Sequence, residues 1–250
     1  MNDAIVSVLV PLYNEEKTIE KVLSKLDQLG FVKEIIVVDD CSTDNSFSVV
    51  KNYQSNKVQL FQNPKNLGKT GAINLAKEKA SGEIIVIQDA DLEYNPDEYP
   101  KLLAPIVSGH ADVVYGSRFL VKKTCRVLYF YHYLANKFLT FLSNLLTNHN
   151  MSDNETCYKA FKAPIFKNME LKSKGFGMEV EITAMITRLP IKIYEVPISY
   201  YGRTYEEGKK IGMTDGIMAI IYILYFNLIS PYKPSRKNYF KTVPKLLLEN

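Results

Sequence analysis

The sequence has few cysteines, no strong excess of one charge and no internal repeat. Its 250 residues include 3 cysteines, Cys41, Cys125 and Cys157, and their spacing is not that of a metal site. An odd and scattered set of this kind indicates reduced thiols in a cytosolic compartment. The formal net charge of +4 favours anionic substrates or an anionic membrane surface, but it is too small to indicate nucleic-acid binding.

Long apolar runs are also missing. No segment reaches the roughly 18–20 uninterrupted apolar residues of a membrane span. The first apolar run, 5–12, follows an acidic residue, so no signal peptide is expected. Two segments come closer to a membrane helix: an amphipathic, aromatic-rich stretch at 127–146 and a short, almost wholly apolar one at 216–229. The first fits a membrane interface, whereas the second fits a core helix and a membrane helix equally well.

The tail that follows is basic. It would either be attracted to anionic lipids or form a solvated, frayed end of the chain. Its basic residues are Lys233, Arg236, Lys237, Lys241 and Lys245.

Short apolar segments alternate with amphipathic ones through the first half of the chain. Strands are predicted at 5–12, 34–40, 57–63, 82–90 and 111–118, and helices at 15–30, 42–53, 68–80 and 95–109. This alternation predicts an α/β fold with a mostly parallel, doubly wound sheet. Active sites in such sheets lie at the carboxyl ends of the strands, where this sequence places its polar clusters.

The second half alternates less regularly. Helices are predicted at 127–146, 177–190 and 216–229, and a strand at 191–203, while 151–162 receives no element. Because no linker rich in Gly, Pro or Ser interrupts this half, we predict one domain over 1–210 that contains the amphipathic helix 126–147. We expect residues 211–250, with the apolar helix and the basic tail, to form an appendage whose helix lies either in the core or against the membrane.

A carboxylate pair follows the fourth predicted strand. Asp89 and Asp91 lie two residues apart, so they point the same way while the strand geometry lasts, and Glu93 follows. Like charges held together need a cation, and oxygen ligands without His or Cys suit Mg²⁺ or Mn²⁺ with substrate phosphates. Alone, such a pair is more often a helix cap. Its place after a buried strand favours a metal site.

Two further segments suggest a nucleotide. Asp40 ends the second strand, where it would either cap a helix or accept hydrogen bonds from a base or ribose. Gly68 and Lys69 precede a helix, and backbone amides at a helix start together with a lysine favour phosphate. The spacing is not that of a Walker motif.

These segments occur together and in order. VPLYNEE, VVDDCSTDNS, NLGKTGAIN, QDADLEY, VYGSRF and EVPISYYGRTYEEGKK resemble the motifs of family 2 glycosyltransferases of GT-A fold. The resemblance spans 6–212 and is closest to the dolichol-phosphate mannosyltransferase-like branch. Those enzymes move a sugar from a nucleotide diphosphate sugar to a polyprenyl phosphate.

The resemblance implies roles for the matched positions. Asp91 and Glu93 would hold the metal, Arg118 would lie near the donor or acceptor phosphates, and Arg203 and Lys209 would close a loop over the donor. The resemblance further implies that Asp89 and Ala90 meet the diphosphate and the sugar, and that Pro11, Tyr13, Glu15, Val38 and Asp40 bind the nucleotide. Together with Lys69, suggested by its place at a helix start, these complete the candidate nucleotide-sugar-binding positions. The candidate catalytic residues are Asp89, Asp91, Arg118, Arg203 and, for a hydroxyl acceptor, Glu155.

The match departs from the mannosyltransferase branch at three places. Glu93 stands where those relatives often carry Gln, and Gly177 and Met178 stand where some place a lysine. The segment SDNETCYKAF, 152–161, lacks their Gly-Phe pair. The resemblance therefore specifies donor and acceptor less closely than it specifies the family.

Two kinds of acceptor are compatible with these residues. A phosphate monoester needs no general base, because its second pKa is ~6 and it is largely dianionic at pH 7. A sugar hydroxyl needs one, which Glu155 or Asp153 would supply; otherwise these residues are structural or hold Arg118.

We expect inverting transfer to a polyprenyl phosphate on the cytoplasmic, inner face of the cell membrane. One alternative is a transferase that acts on a hydroxyl of a surface polysaccharide or glycolipid. The other is a GT-A module that binds a nucleotide sugar without turnover.

Overall fold

The computed structural model describes residues 5–120, 126, 129–175, 177–204, 206 and 213–249. The strands are β1 (Val6–Leu12), β2 (Val32–Asp39), β3 (Val58–Gln62), β4 (Ile84–Ile87), β5 (Val113–Ser117), β6 (Lys159–Lys162) and β7 (Ile193–Pro197). The helices are α1 (Ile19–Asp27), α2 (Ser46–Asn52), α3 (Gly68–Lys79), α4 (Tyr99–Val107), α5 (Phe130–Thr147), α6 (Ala163–Lys167), α7 (Gly177–Ile186), α8 (Met213–Leu228) and α9 (Pro234–Leu248).

The described strands form one sheet in the order β3-β2-β1-β4-β6-β5-β7. All neighbouring pairs are parallel except those of β6, which runs antiparallel to both β4 and β5. Strands β1 and β4 are buried almost throughout, as expected for central strands covered on both faces. The predicted α/β fold with a mostly parallel sheet is confirmed.

Strand β6 was not predicted. Its four residues, Lys-Ala-Phe-Lys, contain neither an apolar run nor a flanking turn signal. Lys159, Ala160 and Phe161 are nevertheless buried, because β6 fills the space between β4 and β5. Tertiary pairing, rather than local preference, makes this segment a strand.

The topology gathers several loops at one edge of the sheet. Parallel strands have their carboxyl ends on the same side, so the segments after β1, β2, β4, β5 and β7 meet there. Antiparallel β6 begins at this same edge, which adds the segment 152–158. The segment after β3, which leads to Gly68 and Lys69, lies at this edge as well, because β3 runs parallel to β2. Together these segments hold the polar clusters on which the predicted site is based.

The C-terminal helices pack onto the rest of the described chain. Helices α5, α7 and α8 share a second apolar cluster, formed by Leu139, Val180, Ala184, Ala219, Ile223 and Phe226. On α9, Val243 is buried and the Tyr239 hydroxyl donates to the Ile165 carbonyl at 3.0 Å. The predicted boundary at 210/211 lies outside the described residues.

The basic tail therefore differs from both sequence-based alternatives at one position. Arg236 is buried and donates to the Glu181 carboxylate, so it faces neither solvent nor lipid. Lys237, Lys241 and Lys245 remain exposed. Helical periodicity places the buried Arg236 and the three exposed lysines on different faces of α9. The charges in the sequence do not by themselves show which of these residues is buried.

One described helical stretch, Thr214–Tyr232, is long and apolar enough to cross a membrane, and about a third of it is buried (33%). It contains the segment 216–229, which sequence analysis interpreted equally as a core helix or a membrane helix. That segment fell short of a full span because Asp215 and Asn227 interrupt the apolar run.

Candidate active site

Lys69 connects two carboxylates at the edge of the sheet where the carboxyl ends of the parallel strands meet. Its Nζ lies 2.8 Å from Asp89 Oδ1 and 3.0 Å from Glu179 Oε1. Asp89 follows β4 and Glu179 lies in the first turn of α7, so the lysine joins two elements far apart in sequence. Burial opposes ionisation of Asp89, but the charge and hydrogen bond of Lys69, the hydrogen bond from Cys157 and the charge of Lys159 together lower the pKa of Asp89.

Arg203 is the cation of a second acidic cluster. Its Nη2 lies 2.6 Å from Asp91 Oδ2, its Nη1 3.1 Å from Glu15 Oε1, and its Nε 3.4 Å from Glu93 Oε1. We call Glu15, Asp91 and Glu93 the acidic triad. The triad joins the segments that follow β1 and β4 to the one that follows β7, which carries Arg203.

The two aspartates of the Asp-Ala-Asp motif differ in electrostatic environment. Asp89 faces Lys69, whereas Asp91 lies among carboxylates. Burial, followed by the charges of Asp89 and Glu93, raises the pKa of Asp91 to about 7, although Arg203 opposes the shift. The motif therefore holds one firmly ionised carboxylate and one that needs additional positive charge to stay ionised near neutral pH.

Asp91 and Glu93 fit a hard divalent cation. Among the residues that the structure describes, no three His, Cys, Asp or Glu side chains are arranged to hold a metal by themselves. Asp91 and Glu93 nevertheless contact one guanidinium from neighbouring positions, so their oxygens face a common point. Two protein carboxylates completed by substrate phosphates are a common arrangement for Mg²⁺.

Arg118 and Asp153 form a buried bidentate pair. Arg118 Nε and Nη2 donate to the two Asp153 oxygens at 2.7 and 2.8 Å, and the Arg118 backbone amide donates at 3.0 Å. The Asp153 side chain is 0% exposed and that of Arg118 11%. The guanidinium also lies over the Tyr200 ring, 5.1 Å from its centroid. Both Asp153 oxygens are engaged, so Asp153 positions Arg118.

Glu155 has a different environment. Its Oε1 is buried and has no hydrogen-bond partner among the described residues. Burial, followed by repulsion from Glu179, raises the pKa of Glu155 to about 7. Asp153 contributes to the same upward shift, while Lys159 and Arg118 oppose it. Near neutral pH this carboxyl group can therefore exchange a proton.

Asp40 organises the loop that precedes α3. It accepts hydrogen bonds from Asn63 Nδ2 at 2.6 Å, from the Leu67 amide at 2.9 Å and from the Gly68 amide at 2.7 Å. The Gly68 amide is thus directed at Asp40, and the Lys69 ammonium at carboxylates. The phosphate cradle expected at Gly68 and Lys69 is not formed in this structure, because both groups already serve protein carboxylates.

The remaining positions expected to bind nucleotide lie near the same edge. Pro11 and Val38 are register partners near the carboxyl ends of β1 and β2. Tyr13 follows β1 and is exposed. The Ala90 carbonyl accepts the Thr18 hydroxyl at 2.9 Å, which ties the segment after β4 to the start of α1. Lys209 lies outside the described residues.

The family model for glycosyl transferase family 2 matches residues 7–169. The chain belongs to this family. It is 30% identical over 214 residues to a dolichol-phosphate mannosyltransferase of Pyrococcus furiosus, a match that covers 84% of this chain and 60% of the relative. The chain thus spans about three fifths of that relative's length.

A second relative is the UDP-N-acetylglucosamine--dolichyl-phosphate N-acetylglucosaminyltransferase of Methanococcus voltae. It is 28% identical over 217 residues, with 79% of this chain and 86% of the relative covered.

Solved structures of glucosyl-3-phosphoglycerate synthase from Mycobacterium tuberculosis share the fold. The complex with Mn²⁺ and UDP-glucose aligns with a TM-score of 0.70 at 21% identity, covering 90% of this chain and 79% of the other. The complex with Mn²⁺, UDP and phosphoglyceric acid aligns with a TM-score of 0.68. The resemblance to family 2 glycosyltransferases of GT-A fold is confirmed.

Two residues of this family 2 site were missed by sequence reasoning. Glu179 comes directly after Gly177 and Met178 and was assigned no role, yet it holds Lys69. The Tyr200 hydroxyl donates to Glu93 Oε2 at 2.8 Å and its ring lies beside Arg118. No local pattern marks either residue, because each acts through a partner that is distant in sequence.

Proposed function

We propose that this family 2 protein is an inverting glycosyltransferase that moves a sugar from a nucleotide diphosphate sugar to a polyprenyl phosphate at a membrane surface. The observation that carries the proposal is the convergence of Asp91, Glu93 and Arg203 at the carboxyl ends of the strands. Hard oxygen ligands beside an arginine suit a diphosphate and its metal. Both named relatives act on dolichol-linked phosphate by their names.

Asp91 and Glu93 would hold Mg²⁺ or Mn²⁺. When bound, the ion supplies Lewis-acid stabilisation of the charge that develops on the leaving nucleoside diphosphate. Lys69 keeps Asp89 ionised and fixed beside this position. Arg203 adds electrostatic stabilisation of the diphosphate oxygens. In an inverting transfer the acceptor oxygen bonds to the anomeric carbon of the sugar while the bond from that carbon to the diphosphate oxygen breaks, and the nucleoside diphosphate leaves from the opposite face through an oxocarbenium-like transition state.

A lipid phosphate fits the acceptor side because it needs no deprotonation. Its second pKa is ~6, so it attacks as a dianion near pH 7. Arg118 provides a cation whose direction is fixed by Asp153, and charge-assisted pairs with phosphate are strong and directional. Asp153 cannot serve as a base while it holds Arg118.

A hydroxyl acceptor is the second candidate, and one observation favours it. Glu155 combines an unpartnered buried oxygen with a pKa of about 7, which are the properties of a general base that works near neutral pH. In this case the acceptor would be a sugar hydroxyl of a polysaccharide or glycolipid.

Exposed apolar helix faces support a membrane location. On α5, Phe130, Leu134, Phe138, Phe141 and Leu145 are exposed at helical spacing. On α8, Ile217, Ile221, Leu224 and Leu228 are exposed in the same way. Soluble monomers rarely expose apolar residues in contiguous patches. The exposed lysines of α9, four residues apart along one face, would add attraction to anionic lipids of about 1 kcal/mol per charge.

The test compares the wild type with Glu155→Gln in transfer from labelled UDP- or GDP-sugars to undecaprenyl or dolichyl phosphate, with Mn²⁺ present. The proposal expects labelled lipid from both proteins, at rates that agree within about threefold. Loss of a general base lowers rates by about 10²–10⁴-fold. Donor turnover by the wild type without labelled lipid, lowered by a factor of that size in Glu155→Gln, would support the hydroxyl acceptor instead.

A further inference from the structure

Arg203 binds the residues to which the proposed function assigns the metal. Its guanidinium contacts Asp91 Oδ2 at 2.6 Å and Glu93 Oε1 at 3.4 Å, and it reaches Glu15 Oε1 at 3.1 Å. The side chain is a quarter exposed (25%), so solvent and ligands reach this cluster. Competition between Arg203 and a metal ion at this cluster rests on that metal assignment.

The guanidinium and a divalent ion compete for the same oxygens. A Mg²⁺ ion lies about 2.1 Å from each carboxylate oxygen that it binds. Nη2 already lies 2.6 Å from Asp91 Oδ2, within a short charge-assisted hydrogen bond. An ion at that oxygen would meet the guanidinium at close range, and the two positive charges would repel each other. Metal binding through Asp91 Oδ2 therefore requires Arg203 to withdraw.

Glu93 also binds the segment that carries Arg203 through groups other than the guanidinium. The Arg203 amide donates to Glu93 Oε1 at 2.9 Å, and the Tyr200 hydroxyl donates to Glu93 Oε2 at 2.8 Å. Both oxygens of Glu93 thus hold the segment that follows β7. A metal that uses either oxygen loosens residues 200–203 together with the Arg203 side chain.

We propose that Arg203 is an exchangeable counter-ion of the acidic triad, which the metal displaces when it binds. Before exchange, Arg203 neutralises carboxylates that would otherwise repel one another. After exchange, the metal takes this role, and the freed guanidinium is available to the oxygens of the donor diphosphate. Arrival of the metal thus releases the second cation needed at the leaving group.

The first test measures Mn²⁺ affinity by electron paramagnetic resonance, without nucleotide, for the wild type, Arg203→Gln and Asp91→Asn. The control is Lys162→Gln, which removes an ion pair with Asp112 at the opposite edge of the sheet. We expect Arg203→Gln to bind Mn²⁺ about tenfold more tightly than the wild type, equivalent to about 1.4 kcal/mol, and the control to match the wild type.

Equal or weaker Mn²⁺ binding by Arg203→Gln, with binding lost in Asp91→Asn, would overturn the exchange while leaving the proposed function intact. Wild-type Mn²⁺ affinity in Asp91→Asn would instead refute the metal assignment, and with it both proposals. The two proposals therefore fail in distinguishable ways.

The second test follows hydrogen exchange of the Arg203 backbone amide in the wild type. Ligands usually slow exchange, but here Mg²⁺ alone should speed it, because the ion removes Glu93 Oε1 as the acceptor of that amide. Unchanged or slower exchange on addition of saturating Mg²⁺ would contradict the displacement.

Discussion

Replacing Asp153 by asparagine distinguishes a positioning residue from a base. In the wild type, Asp153 accepts two hydrogen bonds from the Arg118 side chain and one from its backbone amide. Asparagine keeps one acceptor oxygen, loses the charge, and turns an NH₂ group toward the donors of Arg118. The guanidinium is then left nearly buried and without a counter-ion.

The expected loss of stability is large. Removing one partner of a buried ion pair costs about 3–5 kcal/mol, and the partial acceptor capacity of asparagine places this variant near the lower end, at about 3 kcal/mol. For a chain of this length, 1 kcal/mol shifts the Tm by about 2–4 °C, so we expect a drop of about 6–12 °C.

Differential scanning calorimetry measures the shift, and Glu170→Gln is the matched control. Glu170 pairs with Lys172 at 2.9 Å, but both side chains are more than half exposed (55% and 53%). Exposed pairs contribute about 0–1 kcal/mol, so the control should lose at most about 4 °C. If Asp153→Asn melted as the control does, the assignment of Asp153 as the residue that holds Arg118 would be wrong.

Three further predictions concern stability. The pKa of Glu155 is raised from 4.5 to about 7 in the folded protein, so its contribution to stability is present below pH 4.5 and is lost as the pH rises through 7. The Tm of Glu155→Gln should therefore rise relative to that of the wild type as the pH is raised from 4.5 to 8. A Tm difference that stays constant over this range would contradict the raised pKa of Glu155. Gly82→Ala should destabilise by about 1–3 kcal/mol, because its Cβ would lie 2.6 Å from the Ile5 carbonyl oxygen, whereas Gly30→Ala, with nothing within 4 Å, should be nearly neutral in thermal melts. Arg236→Met should cost about 3–5 kcal/mol by leaving a buried carboxylate unpaired, unlike exposed Lys237→Met, and equal melting of the two would refute the buried pair.

Much of the sheet could be predicted from sequence because apolar strands and amphipathic helices carry their own periodicity. Strands β1, β2 and β4 are largely apolar, and each is followed by polar residues at the carboxyl edge of the sheet. Strand β6 could not be predicted in this way, because its burial comes only from the strands on either side. Local patterns report an element's own preference and not the pairing that overrides it.

Sequence motifs predicted which residues belong to the candidate site, but not which cation pairs with which carboxylate. The sequence motifs supplied Asp89, Asp91 and Arg203 as residues of one site. They did not show that Lys69 would be held between Asp89 and Glu179. Which cation meets which carboxylate depends on distances between segments that are far apart along the chain.

The basic residues of the C-terminal tail show the same limit of sequence-based prediction. Arg236 and Lys237 are neighbours in a basic tail, and composition treats them alike. In the structure, the first is buried against Glu181 and the second is exposed. Only the packing of α9 against the preceding helices separates a structural cation from one that can meet a membrane.

The most direct measurement of the central claim is sugar transfer by the wild type to a polyprenyl phosphate and to the matching polyprenol. Each acceptor is given with labelled UDP- and GDP-sugars, with Mn²⁺ or with a chelator. The account predicts labelled, acid-labile lipid from the phosphate alone, only with the metal, and none from Asp91→Asn. Donor turnover without labelled phospholipid, or labelling of the alcohol instead, would contradict it.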